Sequence, residues 1–406
     1  MNAMLALVIT MDSTSIHDRG LPSIWHFLSD EERQEFENAV EIFHNPAPDN
    51  PVDAGVFLGH LDLGGLRDWL WSRYSKPQQV QWDPEGMLKC ILYFGLKGYQ
   101  HLTEAWRDLE VRPGLIEALG LDSVPPYKTY WHFGAKRLGD DGLERVFSLL
   151  VKLVVSEGKA RGLSIGECVT VDATPLETGR RDRRAGYSVH YEVRGYKGHN
   201  VVDTEHGVPL DFRVTRINDH ESPELCDALQ RAVGRGCAVN LVLAYNGYDG
   251  WKNHAFVSQK IGARLVTGFQ HNVVLSEVGE AEHIWHLYER RWKDDDYVPG
   301  LSFDERLEFL YRKGRMKEVG IYHRNEVLRV LLSDPWSYHR EYNRRVLIEG
   351  DHGYWKQHVG MSKFEGRPME FIERRCRIRL IGMLAVALTR LQNGLTSGLC
   401  LTVGIQ

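Results

Sequence analysis

The chain has 406 residues, a formal net charge of −5, 43% hydrophobic and 26% charged residues. That composition fits a soluble globular protein of two or three modules and excludes disordered, collagenous and coiled-coil classes. The six cysteines (Cys90, Cys168, Cys226, Cys237, Cys376, Cys400) are scattered without a CxxC pair, which argues against a zinc ribbon and a disulfide framework and favours a reducing cytoplasm.

Residues 1–28 read as an N-terminal extension. Met1 to Thr10 is apolar but lacks a basic leader and a clear cleavage site, so it makes a poor signal peptide, and Met4 or Met11 would serve equally as start. Residues 29–160 read as helical, with amphipathic runs at Ser29–Phe43, Gly86–Leu109 and Gly142–Val155 and breaks near Pro46–Pro51 and Pro125-Pro126.

After Gly166 the texture changes to strands, expected at Glu167–Ala173, Tyr187–Val193, Gly198–Thr204 and Pro209–Thr215. A helix near Ser222–Val233, a strand Val239–Ala244, a helix near Gly250–Lys260 and a strand Ala263–Thr267 follow. Residues 270–335 interrupt this rhythm with a charged, aromatic-bearing insertion whose short strands are expected at Arg306–Tyr311, Lys317–His323 and Glu326–Leu332. A helix then begins near Arg340, and a closing helix spans Met369–Leu391. Its apolar stretch, Leu380 to Leu388, is too short to cross a bilayer and follows Arg374, Arg375, Arg377 and Arg379.

A negative total charge argues mildly against nucleic-acid binding, since phosphates need cations. The cations are clustered, however, at Arg180–Arg184, Arg290–Lys293, Arg312–Lys317 and Arg340, Arg344 and Arg345. Together they can line a local positive groove on an acidic protein.

The most informative stretch is Tyr342 to Lys356. Tyr342, Arg345, Glu349 and Lys356 are spaced three, four and seven apart, which on an α-helix makes one stripe. A carboxylate among two cations and a phenol cannot form an ordinary core face, because such groups are costly to bury unpaired. The stripe faces water or a charged ligand. Asp172 closes the first strand ahead of Ala-Thr-Pro175, where a strand-end aspartate projects into a crevice. A turn aspartate there and a solvated Arg345–Glu349 pair are the bland alternatives.

The pattern Y-(2)-R-(3)-E-(6)-K, with Val-Asp172-Ala-Thr, Tyr196-Lys197-Gly-His199 and Asn218-Asp-His220-Glu221-Ser222, resembles insertion-sequence transposases of the DDE class, in the branch bearing that signature. The resemblance covers roughly Ser164 to Leu391. It implies an α/β, ribonuclease-H-like catalytic core at 164–269 and 336–395, a β-rich insertion at 270–335, and a helical module that helps hold the transposon end. It further implies Asp172 and Glu349 as catalytic Mg²⁺ ligands, with Mn²⁺ as substitute. Tyr342, Arg345, Lys356, Lys197 and His199 would be DNA contacts, and the partner double-stranded DNA, with a homodimer on it. Two metal ions would stabilise the attacking and leaving oxygens of an in-line phosphoryl transfer. A nucleoid-associated cytoplasmic protein, without membrane attachment, is expected.

The chain departs from these relatives at the middle acid. Where they carry Ala-Asp-x-Gly-Tyr-Asp, this sequence reads Ala244-Tyr245-Asn246-Gly247-Tyr248-Asp249. A phenol that ionises near pH 10 is a poor Mg²⁺ ligand. Asn246 and Asp249 are the nearby substitutes, although Asp249 fits a helix cap better. Two readings therefore stand: a transposase with impaired cleavage, and a catalytically silent DNA-binding relative that represses active copies. A nuclease of the same fold is a third. Trp285 and Trp292 either stack a flipped base or anchor the insertion.

Overall fold

A computed structural model describes residues 58–268 and 302–400 apart from 60, 62, 77–79, 100, 180–181 and 365–367. The extension at 1–28, the expected helix Ser29–Phe43, and Trp285 and Trp292 lie outside the described residues.

The first part is helical: α1 (Gly64–Ser72), α2 (Pro84–Leu96), α3 (Leu102–Glu110), α4 (Pro113–Ala118), α5 (Tyr127–His132) and α6 (Gly139–Ala160). Asp83 starts α2 by accepting hydrogen bonds from the backbone N–H groups of Glu85 and Gly86, with Pro84 in the first turn. The single helix expected over Gly86–Leu109 is two, because the chain turns at Gly98, whose φ of +66° suits only glycine without strain. In α6, Leu143, Val146, Phe147, Leu150, Val151 and Val154 are buried at helical spacing.

Seven strands follow among the described residues: β1 (Cys168–Thr178), β2 (Gly186–Ser188), β3 (Val193–Asp203), β4 (Pro209–Arg216), β5 (Leu241–Ala244), β6 (Arg264–Thr267) and β7 (Lys363–Phe364). Between them lie α7 (Glu224–Gly234), α8 (Trp251–Phe256), α9 (Phe303–Arg312), α10 (Met316–Ser333), α11 (Pro335–Tyr342) and α12 (Leu347–Gln357); α13 (Met369–Gln392) closes the described chain. The sheet runs β4-β3-β1-β5-β6, with β1, β3 and β4 antiparallel and β1, β5 and β6 parallel. The strand expected over Tyr187–Val193 is instead the short β2 and a turn, in which Glu192 has a φ of +54°, and β3 begins earlier than expected.

Strand β1 does not stop at Ala173. One of its edges pairs with β3 from Val169 to Glu177. The other pairs with β5 only at Cys168–Val171 and with β7 only at Glu177–Thr178. Residues 172–176 thus have an open edge, and Pro175, which has no N–H to donate, is tolerated there.

The expected β-rich insertion is corrected by the described part of it. Residues 303–312 and 316–333 are the helices α9 and α10. Ser302 and Glu305 form a reciprocal capping box, and Leu307 and Leu310 are buried one turn apart, so the short apolar alternation read as strand is a helical face. Gly320 of α10 lies so close to the Trp251 carbonyl of α8 that a Cβ would collide with it.

Helix α13 packs on α6, α2 and β4. A continuous set of buried apolar side chains from Leu58 to Cys400 therefore joins helices and sheet. Among the described residues, no helix is long and apolar enough to cross a membrane.

Two charged networks tie the layers. Asp211 of β4 accepts from Arg231 at 3.0 and 2.8 Å and from Arg235 at 2.6 Å, while Arg235 also reaches Glu144 of α6 at 2.5 Å. Asp211 is only 1% exposed. Asp211→Ala strips a buried partner from two guanidinium groups and should lower the unfolding free energy in urea by about 3–5 kcal/mol; a loss under about 1 kcal/mol would leave the network no more important than a surface pair.

Asp249 receives two hydrogen bonds of 2.7 Å from Arg324 of α10. Burial alone would raise its pKa, but His254 and Arg324 hold it below the ordinary 3.8. A depressed carboxyl pKa gives stability that is present above the unfolded value and is lost as pH falls through the folded one. Asp249→Asn should therefore cost about 3 kcal/mol at pH 7, with a clearly smaller difference from the native protein at pH 3. An equal difference at both pH values would assign the effect to packing.

Candidate active site

The open stretch of β1 is where the singled-out residues meet. The last parallel pair is Val171 with Ala244, so Asp172, still paired with β3, is the first residue of the open edge, and Tyr245 is the first residue past the end of β5. After Tyr245 the backbone turns into a short 3₁₀ segment, Asn246–Tyr248, and β5 ends. On the other side of β1, Asp172 is registered with Asn200.

Asp172 accepts a hydrogen bond from the Ala173 N–H at 2.8 Å. Its carboxyl is pushed up to about 7, first by burial, with the Glu221 and Glu349 carboxylates adding to the rise and Arg345 opposing it. The charge of Asp172 is in turn felt by Lys356, Tyr342 and Tyr191. Lys356 is held below the usual lysine range by burial, against the attraction of Asp172.

The four stripe residues do not share one α-helix. Tyr342 ends α11, Arg345 lies in a 3₁₀ turn over Asn343–Val346, and Glu349 and Lys356 belong to α12. The tighter turn still gathers them. Arg345 donates to Glu349 at 2.8 Å, and its guanidinium sits 4.9 Å from the Tyr342 ring centre and 4.8 Å from that of Tyr245. Tyr342 stacks on Tyr338 at 5.5 Å and 14°, and the Tyr338 hydroxyl donates to the Thr267 carbonyl at 2.7 Å. A Cβ at Gly268 would collide with the Tyr342 hydroxyl, so a side chain there would have to displace that ring.

Lys197 joins this cluster only through Glu221, and His199 stands apart from it. Lys197 donates to Glu221 at 2.7 Å and to the Asp219 carbonyl at 2.9 Å, tying down the turn Asn218–Ser222. His199 is registered with Ala173, so it points to the face of the sheet opposite Asp172. It is 2% exposed, its Nε2 is 2.8 Å from the Thr215 hydroxyl, and burial followed by Lys197 and Arg231 pushes it down to about 4. His199 is thus a buried, neutral imidazole whose ring lies against Thr215 within the sheet.

Both expected substitutes at the middle position lie in the turn that follows β5. Asp249 is committed to Arg324, and Asn246 opens the 3₁₀ turn. Among the described residues, no group of three or more His, Cys, Asp and Glu converges to hold a metal ion. Asp172 lies in the fields of Glu221 and Glu349, but Glu221 is paired with Lys197 and Glu349 with Arg345, and the residue that follows β5 is a phenol. The residues present do not fit a two-ion magnesium site, which needs near-octahedral oxygen ligation.

Three contributors escaped sequence reasoning. Asn200 donates to the Gly198 carbonyl at 3.1 Å and meets His352 Nε2 at 2.9 Å, pinning α12 to the sheet. Burial, with Lys356, pushes His352 down to about 3, so it serves as a neutral partner. His352 lies three residues after Glu349 and four before Lys356, a spacing that could have revealed it. Tyr191 reaches the site from the turn after β2, for which the sequence carries no signal.

Residues 164–384, more than half of the chain, match the family model described as transposase DDE domain. No curated protein and no solved structure matches the chain. Asp172 and Glu349, which feel each other's charge, both lie inside the matched span, and the chain belongs to the transposase DDE domain family.

Proposed function

We propose that this protein is an insertion-sequence transposase that binds terminal inverted repeats, with Asp172 and Glu349 as its surviving catalytic carboxylates and with strand cleavage and transfer impaired by Tyr245. The single observation that carries the reading is the register of β1 and β5, which sets Tyr245 beside Asp172 where a second acid is needed. The sheet order β4-β3-β1-β5-β6 supports reading the core as ribonuclease-H-like. Tyr342, Arg345 and Lys356 are the DNA-facing groups of that site. Lysine meets a phosphate as a point charge and arginine as a fork. DNA ends and target are the substrates, a homodimer on DNA is the working unit, and the nucleoid is its place.

Family resemblance implies Mg²⁺, yet the native donor set lacks one carboxylate, so no reaction step is assigned to a metal here. The commitment of Arg345 to Glu349 and to two tyrosine rings favours a second reading, a protein that recognises ends without cutting and represses active copies. A fixed guanidinium has fewer donors left for a phosphate.

Tyr245→Asp separates the two. With Mg²⁺ or Mn²⁺ and DNA carrying the element's ends, the variant should nick at a rate on the order of 100-fold above the native protein, the scale on which one electrostatic group acts at a reacting centre. The native protein should shift the same DNA on a gel. A folded variant that binds ends and cuts no faster would remove Tyr245 as the cause of impairment and leave the repressor reading.

A further inference from the structure

Four planar groups follow one another beside Asp172. Tyr338, 4% exposed, is anchored by its hydroxyl to the Thr267 carbonyl; Tyr342 stacks on Tyr338; the Arg345 guanidinium lies over Tyr342 and also over Tyr245. The series begins in the core and ends on Tyr245, which is 44% exposed. Glu349 fixes the guanidinium from its edge at 2.8 Å, so the terminal ring is held before any ligand arrives. A pre-positioned aromatic surface costs a partner little ordering entropy.

The occupant follows from shape and charge. The end of such a series accepts another planar π-system, and the cations of the site, Arg345 over the Tyr245 ring and Lys356 in the field of Asp172, suit a ligand that carries negative charge next to its ring. A nucleotide has both; an aromatic peptide side chain would leave Lys356 without use. A paired base inside a duplex offers no free face, whereas an unpaired one does. We propose that Tyr245 is a stacking platform for an unpaired nucleobase at the end of the bound DNA. This rests on the end-binding reading given above and deepens it. The exchange of acid for tyrosine turns a place that would repel a nucleotide's phosphate into one that holds its base.

The test uses the full-length chain and two DNAs carrying the repeat that flanks its reading frame, one blunt and one ending in a single-nucleotide overhang of 2-aminopurine, whose fluorescence drops on stacking. The native protein and Tyr245→Phe should quench the overhang and bind that DNA alike. Tyr245→Ala should lose the quench and bind the overhang DNA about 5- to 150-fold more weakly, the range of one base–aromatic stack, while its affinity for blunt DNA stays the same. Native protein that binds both DNAs without quenching, or a Tyr245→Ala variant that quenches like native, overturns the platform and leaves end binding intact. Native protein that binds neither DNA overturns the end-binding reading and the platform with it.

Discussion

The parallel pairing of β1 with β5 is the constraint on which the site depends. Because it stops at Val171 and Ala244, and β7 takes up the same edge only at Glu177, a window opens in the middle of an otherwise paired strand. Among the described residues, most of the side chains singled out from the sequence gather at that window. Asp172 and Tyr245 enter it from the sheet, and Glu349 and Lys356 from α12. Arg345 arrives on the 3₁₀ turn that joins α12 to α11. Two buried contacts hold the helical side in place, Asn200 with His352 and the Tyr338 hydroxyl with Thr267.

The sequence made the ends of this arrangement legible and hid its middle. Asp172 stands out because a Val-rich run meets an acid, although β1 continues past it to Thr178, and Glu349 because its neighbours recur at helical spacing. The 3₁₀ break at Asn343–Val346 does not, since 3₁₀ and α turns differ little in side-chain pattern over four residues. Period reading failed in a similar way over 303–333, where short apolar alternations fit either state until the capping box at Ser302 and the burial of Leu307 and Leu310 decide for helix. The fate of His199 depended on which face of β3 it occupies. That is set by a register with Ala173 that no local motif encodes.

The same lesson applies to the charges. Arginine clusters look alike in a sequence whether they bind phosphate or build the fold. Arg231 and Arg235 lock β4 to α7 and α6, Arg324 locks α10 to the turn after β5, and Arg377 pairs with Glu373 within α13. Much of the positive charge on this acidic chain is therefore internal mortar. What remains near the window is small in number, and its orientation matters more than the total.

The raised carboxyl of Asp172 has one more implication. Burial and two neighbouring carboxylates already disfavour its ionised form, and a third acid at position 245 would have added to that repulsion in the free protein. Tyrosine removes the conflict and contributes a ring that the adjacent guanidinium can lean on. A tyrosine at position 245 thus carries less electrostatic frustration than an acid would, so foldability exerts no pull toward a carboxylate there.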